Sequence, residues 1–109
     1  MFHNKRKGYM VERKVRILME KNGWIVIRAG SSLGEADLIC IKSGKCVLLQ
    51  VKSTKKKTFH YYGYQKRSLE GFPFYLVVDF GYGKLRALFP QQRVTQDDGE
   101  NWEEFVGKI

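Results

Sequence analysis

The chain has 109 residues, 43% hydrophobic and 28% charged, with 20 Lys and Arg against 11 Asp and Glu and a net charge of +9. That length supports one domain burying about two thirds of the surface its unfolded chain exposes, and the composition excludes a disordered or collagen-like polymer. Excess cations favour a polyanionic partner, nucleic acid first, because phosphate contacts release counterions.

No apolar run is long enough for a membrane span and residues 1–10 lack a signal-peptide core, so a cytoplasmic or nucleoid setting without a membrane partner is expected. Two cysteines and two histidines, Cys40, Cys46, His3 and His60, stand in no zinc spacing. No Gly-rich phosphate loop is present, so no nucleotide cofactor is expected.

Residues 1–8 carry Lys5, Arg6 and Lys7, a basic arm expected to be mobile at its start; phosphate contact and plain solvation are its two readings. A helix is predicted over 9–22, with Val11, Val15 and Leu18 on one face and Asn22-Gly23 as its stop. Glu12 lies one step, about 100°, from Val11. It is placed either to pair with Arg16 four residues on or, as favoured here, to lean into a cleft. Residues 24–29, apolar on both faces, predict a strand near the sheet centre. The small residues of 30–34 form a loop that allows close approach of a nucleic-acid backbone or simply connects.

The next segment organises the rest. Residues 36–41 and 45–52 are rich in strand formers, and Ser43-Gly44 between them signals a two-residue turn. With Lys42 opposite Lys45, Asp37 falls opposite Gln50 and Glu35 opposite Lys52, all on one face with facing Cβ atoms roughly 4.5–5.5 Å apart. Acid, amide and amine so arranged suit metal-assisted phosphodiester hydrolysis: oxygen ligands for Mg²⁺ and a cation near the attacked phosphate. A solvated cross-strand charge pair is the ordinary alternative. The same count puts Cys40 and Cys46 on opposite faces, unable to bridge across the hairpin.

Beyond it, Lys55, Lys56, Lys57, Lys66 and Arg67 interleave with Phe59, His60, Tyr61, Tyr62 and Tyr64, a pattern suited to stacking on bases and meeting phosphates, although half of these rings would equally serve a core or dimer contact. A short helix is predicted over 64–70. Residues 73–80 and 84–89 predict a hairpin turning at Gly81-Tyr82-Gly83, ended by Pro90. A last helix over 101–106 presents Trp102, Phe105 and Val106 to the core or to a second subunit.

The EAD of residues 35–37 followed by the QVK of 50–52 resembles the PD-(D/E)XK nuclease superfamily. With the flanking RKGYMVERKV, NGWIVIRAGSS and QVKSTKKK, in order and at similar spacing, residues 6–57 resemble the archaeal-type Holliday junction resolvases. The resemblance implies Glu12, Asp37, Gln50 and Lys52 as the active site, with Asp37, Gln50 and Glu12 toward the metal and Lys52 as the catalytic lysine. It implies Ser31 or Ser32 near the scissile phosphate and phosphate contact from Arg13, favours the same for Lys5, Arg6 and Lys7, and brings Gln65 or Lys66 of the 64–70 helix toward the cleft. The DNA contacts expected from Lys55, Lys56, Lys57, Lys66 and Arg67 rest on their basic–aromatic pattern. Gln50 departs from the pattern: a neutral amide stands where the family has an acid.

The fold expected is α/β, a restriction-endonuclease-like central mixed sheet of about five strands in the order α, β, β, β, α, β, β, flanked by helices. The function expected is a Mg²⁺-dependent endodeoxyribonuclease, with Mn²⁺ as a substitute ion, that resolves four-way junctions in branched double-stranded DNA by paired nicks as a homodimer. The alternatives are a catalytically degenerate DNA-binding module and a repair or restriction-like nicking nuclease.

Overall fold

The computed structural model describes residues 2–30 and 34–109, with side chains described from residue 8 onward. In chain order the elements are α1 (Phe2–Lys21), β1 (Ile25–Arg28), β2 (Leu38–Lys42), β3 (Lys45–Ser53), β4 (Thr58–His60), β5 (Ser68–Leu69), β6 (Phe72–Asp79), β7 (Leu85–Leu88), β8 (Arg93–Thr95), β9 (Glu100–Asn101) and α2 (Trp102–Lys108).

α1 begins earlier than its apolar periodicity indicates. Lys5, Arg6 and Lys7, expected as a mobile arm, are helical, because Lys and Arg are good helix formers and Gly8 subtracts only about 1 kcal/mol; their side chains lie outside the described residues. The helix buries Val11, Val15 and Met19, spaced by one turn each. It ends where Asn22-Gly23 predicts: the Trp24 N–H donates to Met19 O and the Gly23 N–H to Glu20 O, with Gly23 at φ 88°, the Schellman pattern. Trp24 then packs beside Met19 in the core.

The main sheet runs β1-β2-β3-β6-β7-β9, with β5 added on β6, so it holds seven strands where about five were expected; the additions, β5 and β9, are two-residue strands too short to leave a periodic signal. A separate two-stranded ribbon pairs β4 with β8. β3 and β6 are parallel and the other main-sheet pairs antiparallel. α1 and α2 cover one face, over Leu38, Cys40, Val47, Leu49, Val77, Leu85 and Ala87. The other face is closed at the β6–β7 end by Tyr61, Phe80 and Val94 over Leu76, Val78 and Leu88, and next to it by Ala36 with Leu48 and Phe74.

Two sequence expectations give way here, and one open alternative is decided. β1 is an edge strand, not a central one: Val26 packs on the core, but Ile25 is 65% and Ile27 47% exposed, because the outer cover stops at β2 and β3. The helix over 64–70 is absent. Glu70 and Gly71 both take left-handed φ, 53° and 84°, closing a two-residue hairpin between β5 and β6. Upstream, the Gln65 amide donates to Tyr61 O and Gly63 O, and the Tyr64 ring meets Phe74 edge-on. Tertiary packing and turn chemistry therefore outweigh a weak local helical preference. Finally, Trp102 and Phe105 dock on the protein's own core, with Asn101 capping α2 through the Glu104 N–H.

Cys40 and Cys46 do lie on opposite faces, Cys40 in the helix-side core and Cys46 against the outer cluster. Both are free thiols. Burial pushes the Cys40 thiol up to about 12, so its nucleophilic thiolate is scarce at neutral pH. A thiol reagent applied to the native protein is expected to titrate one cysteine, Cys46, with Cys40 reacting only on unfolding; two equivalents consumed at equal rates in native buffer would contradict this burial.

Candidate active site

The β2–β3 turn has both residues left-handed, Ser43 at φ 50° and Gly44 at φ 79°, the geometry that keeps two strands in tight antiparallel pairing. The register follows: Lys42 faces Lys45 and Leu38 faces Leu49. One step further the ladder opens. The Asp37 N–H still donates to Leu49 O at 2.8 Å and the Ala29 N–H to Asp37 O at 2.8 Å, but the Val51 N–H donates instead to Asp37 Oδ2 at 2.7 Å. The Gln50 amide Nε2 donates to the same Oδ2 at 3.0 Å. Asp37 and Gln50 therefore meet side by side, on the sheet face away from α1.

Gln50 is only 5% exposed, and its amide oxygen Oε1 is buried with no hydrogen-bond partner. An orphaned buried acceptor is uncommon. Beside a carboxylate it is half of an oxygen donor pair. Asp37 and Gln50 thus fit a hard divalent cation that keeps most of its waters. They do not form an all-protein cage, and no cluster of three His, Cys, Asp or Glu able to hold a metal is found among the described residues.

Burial raises the Asp37 carboxyl above its ordinary value; the Val51 N–H opposes the rise, Glu12 adds to it, Lys52 opposes it and Glu35 adds to it. Glu12 and Lys52 are thus close enough to be felt at Asp37. Lys52 is exposed, and no Glu35–Lys52 ion pair is found among the described residues although the hairpin count sets them opposite; β2 has ended before Glu35 and no longer holds it to β3.

Glu12 does not pair with Arg16. Its Oε1 accepts from Arg28 Nε at 2.8 Å, and the Arg28 guanidinium also lies over the Tyr9 ring, 5.4 Å from its centroid. Arg28 was not singled out from the sequence. The signal that finds it is the β1–β2 register, in which Arg28 faces Leu38, the neighbour of Asp37. Tyr61 was placed only among possible stacking rings. It is buried with an unpartnered hydroxyl, and burial, helped by Glu35 and Asp37, pushes that hydroxyl up to about 12.

The remaining candidates are scattered on the surface. Arg13, Lys55, Lys56, Lys57, Lys66 and Arg67 are exposed, Arg67 lying over the Phe89 ring. Gln65 is engaged by backbone carbonyls. Ser31 and Ser32 lie outside the described residues. Of the interleaved rings, Tyr61 and Phe59 join the core, whereas Tyr62 is 79% exposed and stacked on His60.

A mixed sheet with a parallel β3–β6 pair, a helix over one face, and Asp37, Gln50 and Lys52 on one hairpin define a restriction-endonuclease-like fold. The chain belongs to the archaeal Holliday junction resolvase (Hjc) family, whose model matches residues 3–74. It is 38% identical over 60 residues to the crossover junction endodeoxyribonuclease Hjc of Methanocaldococcus jannaschii, over 55% of this chain and 44% of that one, so the match spans under half the length of this curated relative. The structure of Archaeoglobus fulgidus Hjc, a Holliday junction resolvase, superposes with a TM-score of 0.72 over 94% of this chain and 98% of that one, at 16% identity.

The Asp37 environment yields a test that needs no DNA. A carboxyl raised in the folded state stabilises the protein below its unfolded value and loses that contribution as pH rises through the folded value. In EDTA, the denaturation midpoint of the wild type minus that of Asp37→Asn is therefore expected to fall as pH rises from below about 3.8. A flat difference across that range would mean that Asp37 is not under the strain its burial implies.

Proposed function

We propose that the protein is a metal-dependent, structure-selective endodeoxyribonuclease of one nuclease-like domain that resolves four-way junctions in branched double-stranded DNA by paired nicks. The observation that carries this reading is the Asp37 carboxylate meeting the Gln50 amide group, whose nitrogen donates to it and whose oxygen is buried without a partner, beside Lys52. Asp37 and Gln50 would hold Mg²⁺, or Mn²⁺ in its place, with Glu12 contributing from α1. Such an ion supplies Lewis acidity toward the scissile phosphate and lowers the pKa of bound water.

The chain's own residues do the rest. Lys52, exposed at the end of β3, orients the attacking water and offsets charge developing on the phosphoryl oxygens. Glu12 holds Arg28 by the 2.8 Å ion pair, keeping a planar, phosphate-matching cation at the mouth of the site. Ser31 or Ser32 supplies a hydroxyl near the scissile phosphate, as the family resemblance implies. Lys5, Arg6, Lys7, Arg13, Lys55, Lys56, Lys57, Lys66 and Arg67 supply the salt-dependent part of affinity.

The degenerate binding module remains a second reading because Gln50 removes one negative charge from the site. Cleavage of a labelled four-way junction over a Mg²⁺ and Mn²⁺ titration separates the two. An enzyme predicts an active wild type, loss of cleavage with retained binding in Lys52→Ala and Asp37→Asn, and a lower half-maximal Mg²⁺ concentration in Gln50→Glu. An inactive wild type rescued by Gln50→Glu would instead identify a binding module, and wild-type cleavage by Lys52→Ala would remove the site altogether.

Paired nicks from a one-site domain call for a two-fold dimer. With Trp102 and Phe105 already used by the core, an apolar strip suited to a second copy is the sheet face away from α1 at its β1 edge, where Ile25 faces Ile41 and Ile27 faces Ile39. Sedimentation is expected to show a dimer at micromolar concentration; monomer alone, with and without DNA, would rule it out.

A further inference from the structure

Tyr82 sits at the tip of the β6–β7 hairpin with its side chain fully exposed, at 103% relative accessibility. Its φ is 52°, between Gly81 at 86° and Gly83 at 76°, a left-handed conformation that disfavours a bulky residue and that Gly or Asn adopts readily. No packing rewards the tyrosine for this strain. The tip is also firmly built. Phe80 N–H donates to Lys84 O at 2.9 Å and Lys84 N–H to Gly81 O at 3.0 Å. The buried Asp79 carboxylate takes the Gly81 N–H at 2.7 Å and is itself held by Lys14 of α1 at 3.3 Å.

Beside the ring, on the α1 side of the same sheet rim, lies a cleft of about 430 Å³ lined by Val11, Ser53, Thr54, Lys55, Gly81 and Tyr82. Its walls adjoin the candidate active site in sequence, Val11 preceding Glu12 and Ser53 following Lys52. The one carboxylate in the cleft wall, Asp79, is already met by Lys14 and the Gly81 N–H, so it opposes a phosphate little. Lys55, Ser53 and Thr54 line the same cleft, the Thr54 hydroxyl accepting the Lys56 N–H at 3.1 Å and keeping its own hydrogen to donate; the tyrosine offers a flat apolar surface.

We propose that this cleft receives an unstacked nucleotide, its base lying on the Tyr82 ring and its phosphate against Lys55 and the Ser53 and Thr54 hydroxyls. Resting on the junction-nuclease reading above, this makes Tyr82 a specificity residue for branched DNA, since a branch point offers bases that a continuous duplex keeps stacked. The strained backbone at the tip aims the ring outward, and the Asp79 anchor spares it the entropy of ordering a loose loop on binding.

The test measures binding in EDTA to three DNAs: a four-way junction, a duplex with one unpaired 2-aminopurine, and a fully paired duplex. Wild type is expected to quench the unpaired 2-aminopurine. Tyr82→Gly is expected to lose that quenching and to bind the first two DNAs about five- to 150-fold more weakly, the range for one base–aromatic stack, with paired-duplex affinity within about twofold; Tyr82→Trp retains the wild-type pattern. Tyr82→Gly and Tyr82→Asn both suit the left-handed backbone, so their melting temperatures should match or exceed wild type, separating lost stacking from lost folding. Wild-type affinity and quenching in Tyr82→Gly, or equal weakening on all three DNAs, overturns the proposal. If wild type binds the junction no better than the paired duplex while quenching at the unpaired base still depends on Tyr82, the resolvase reading fails and the stacking site stands.

Discussion

Where the β2–β3 ladder opens, the Asp37 carboxylate replaces a backbone carbonyl as acceptor for the Val51 N–H, and the geometry of the candidate site depends on that substitution. A buried backbone donor without a partner is costly, so Asp37 is held in place by the sheet itself. The same oxygen takes the Gln50 amide hydrogen, which turns Gln50 so that its own oxygen is left unpartnered. The donor pair thus rests on one backbone donor of β3 and one side-chain hydrogen bond between Asp37 and Gln50.

Electrostatics at this point are finely opposed. Asp37 is raised chiefly by burial and held back by the Val51 N–H and Lys52, while Glu12 adds to the rise. Glu12 itself is met by Arg28. A second acid in place of Gln50 would press two buried carboxylates together and raise the cost of ionising them further. The amide avoids that repulsion and gives up one charge toward a cation. Family membership and the shared architecture leave this balance as a feature of the chain's own residues.

The parallel β3–β6 pair gives the sheet its working rim. Because β3 and β6 run the same way and stay in register to their ends, Lys52 and Ser53 lie beside Val78 and Asp79, and the hairpin carrying Tyr82 projects from the end of the sheet that also carries Lys52. Strand alternation sends Lys52 and Ser53 to opposite faces, so the candidate active-site residues of β3 and the Tyr82 cleft sit on two sides of one edge. The rim therefore presents candidate contact residues on both of its faces.

By itself the sequence determined the β2–β3 hairpin, its register, and the meeting of Asp37 with Gln50, because a two-residue turn and a period of two are local rules that propagate along paired strands. It also determined where α1 stops, the β6–β7 hairpin and the presence of the last helix, each set by residues a few positions apart. Only the tertiary structure decided that β1 lies at the edge, that residues 64–70 form a turn and a short strand, and that Glu12 takes Arg28 over Arg16. Those outcomes depend on which surfaces other segments cover and which partners arrive from distant positions. Arg28 lies 16 residues from Glu12 in sequence, and only folding brings the two together.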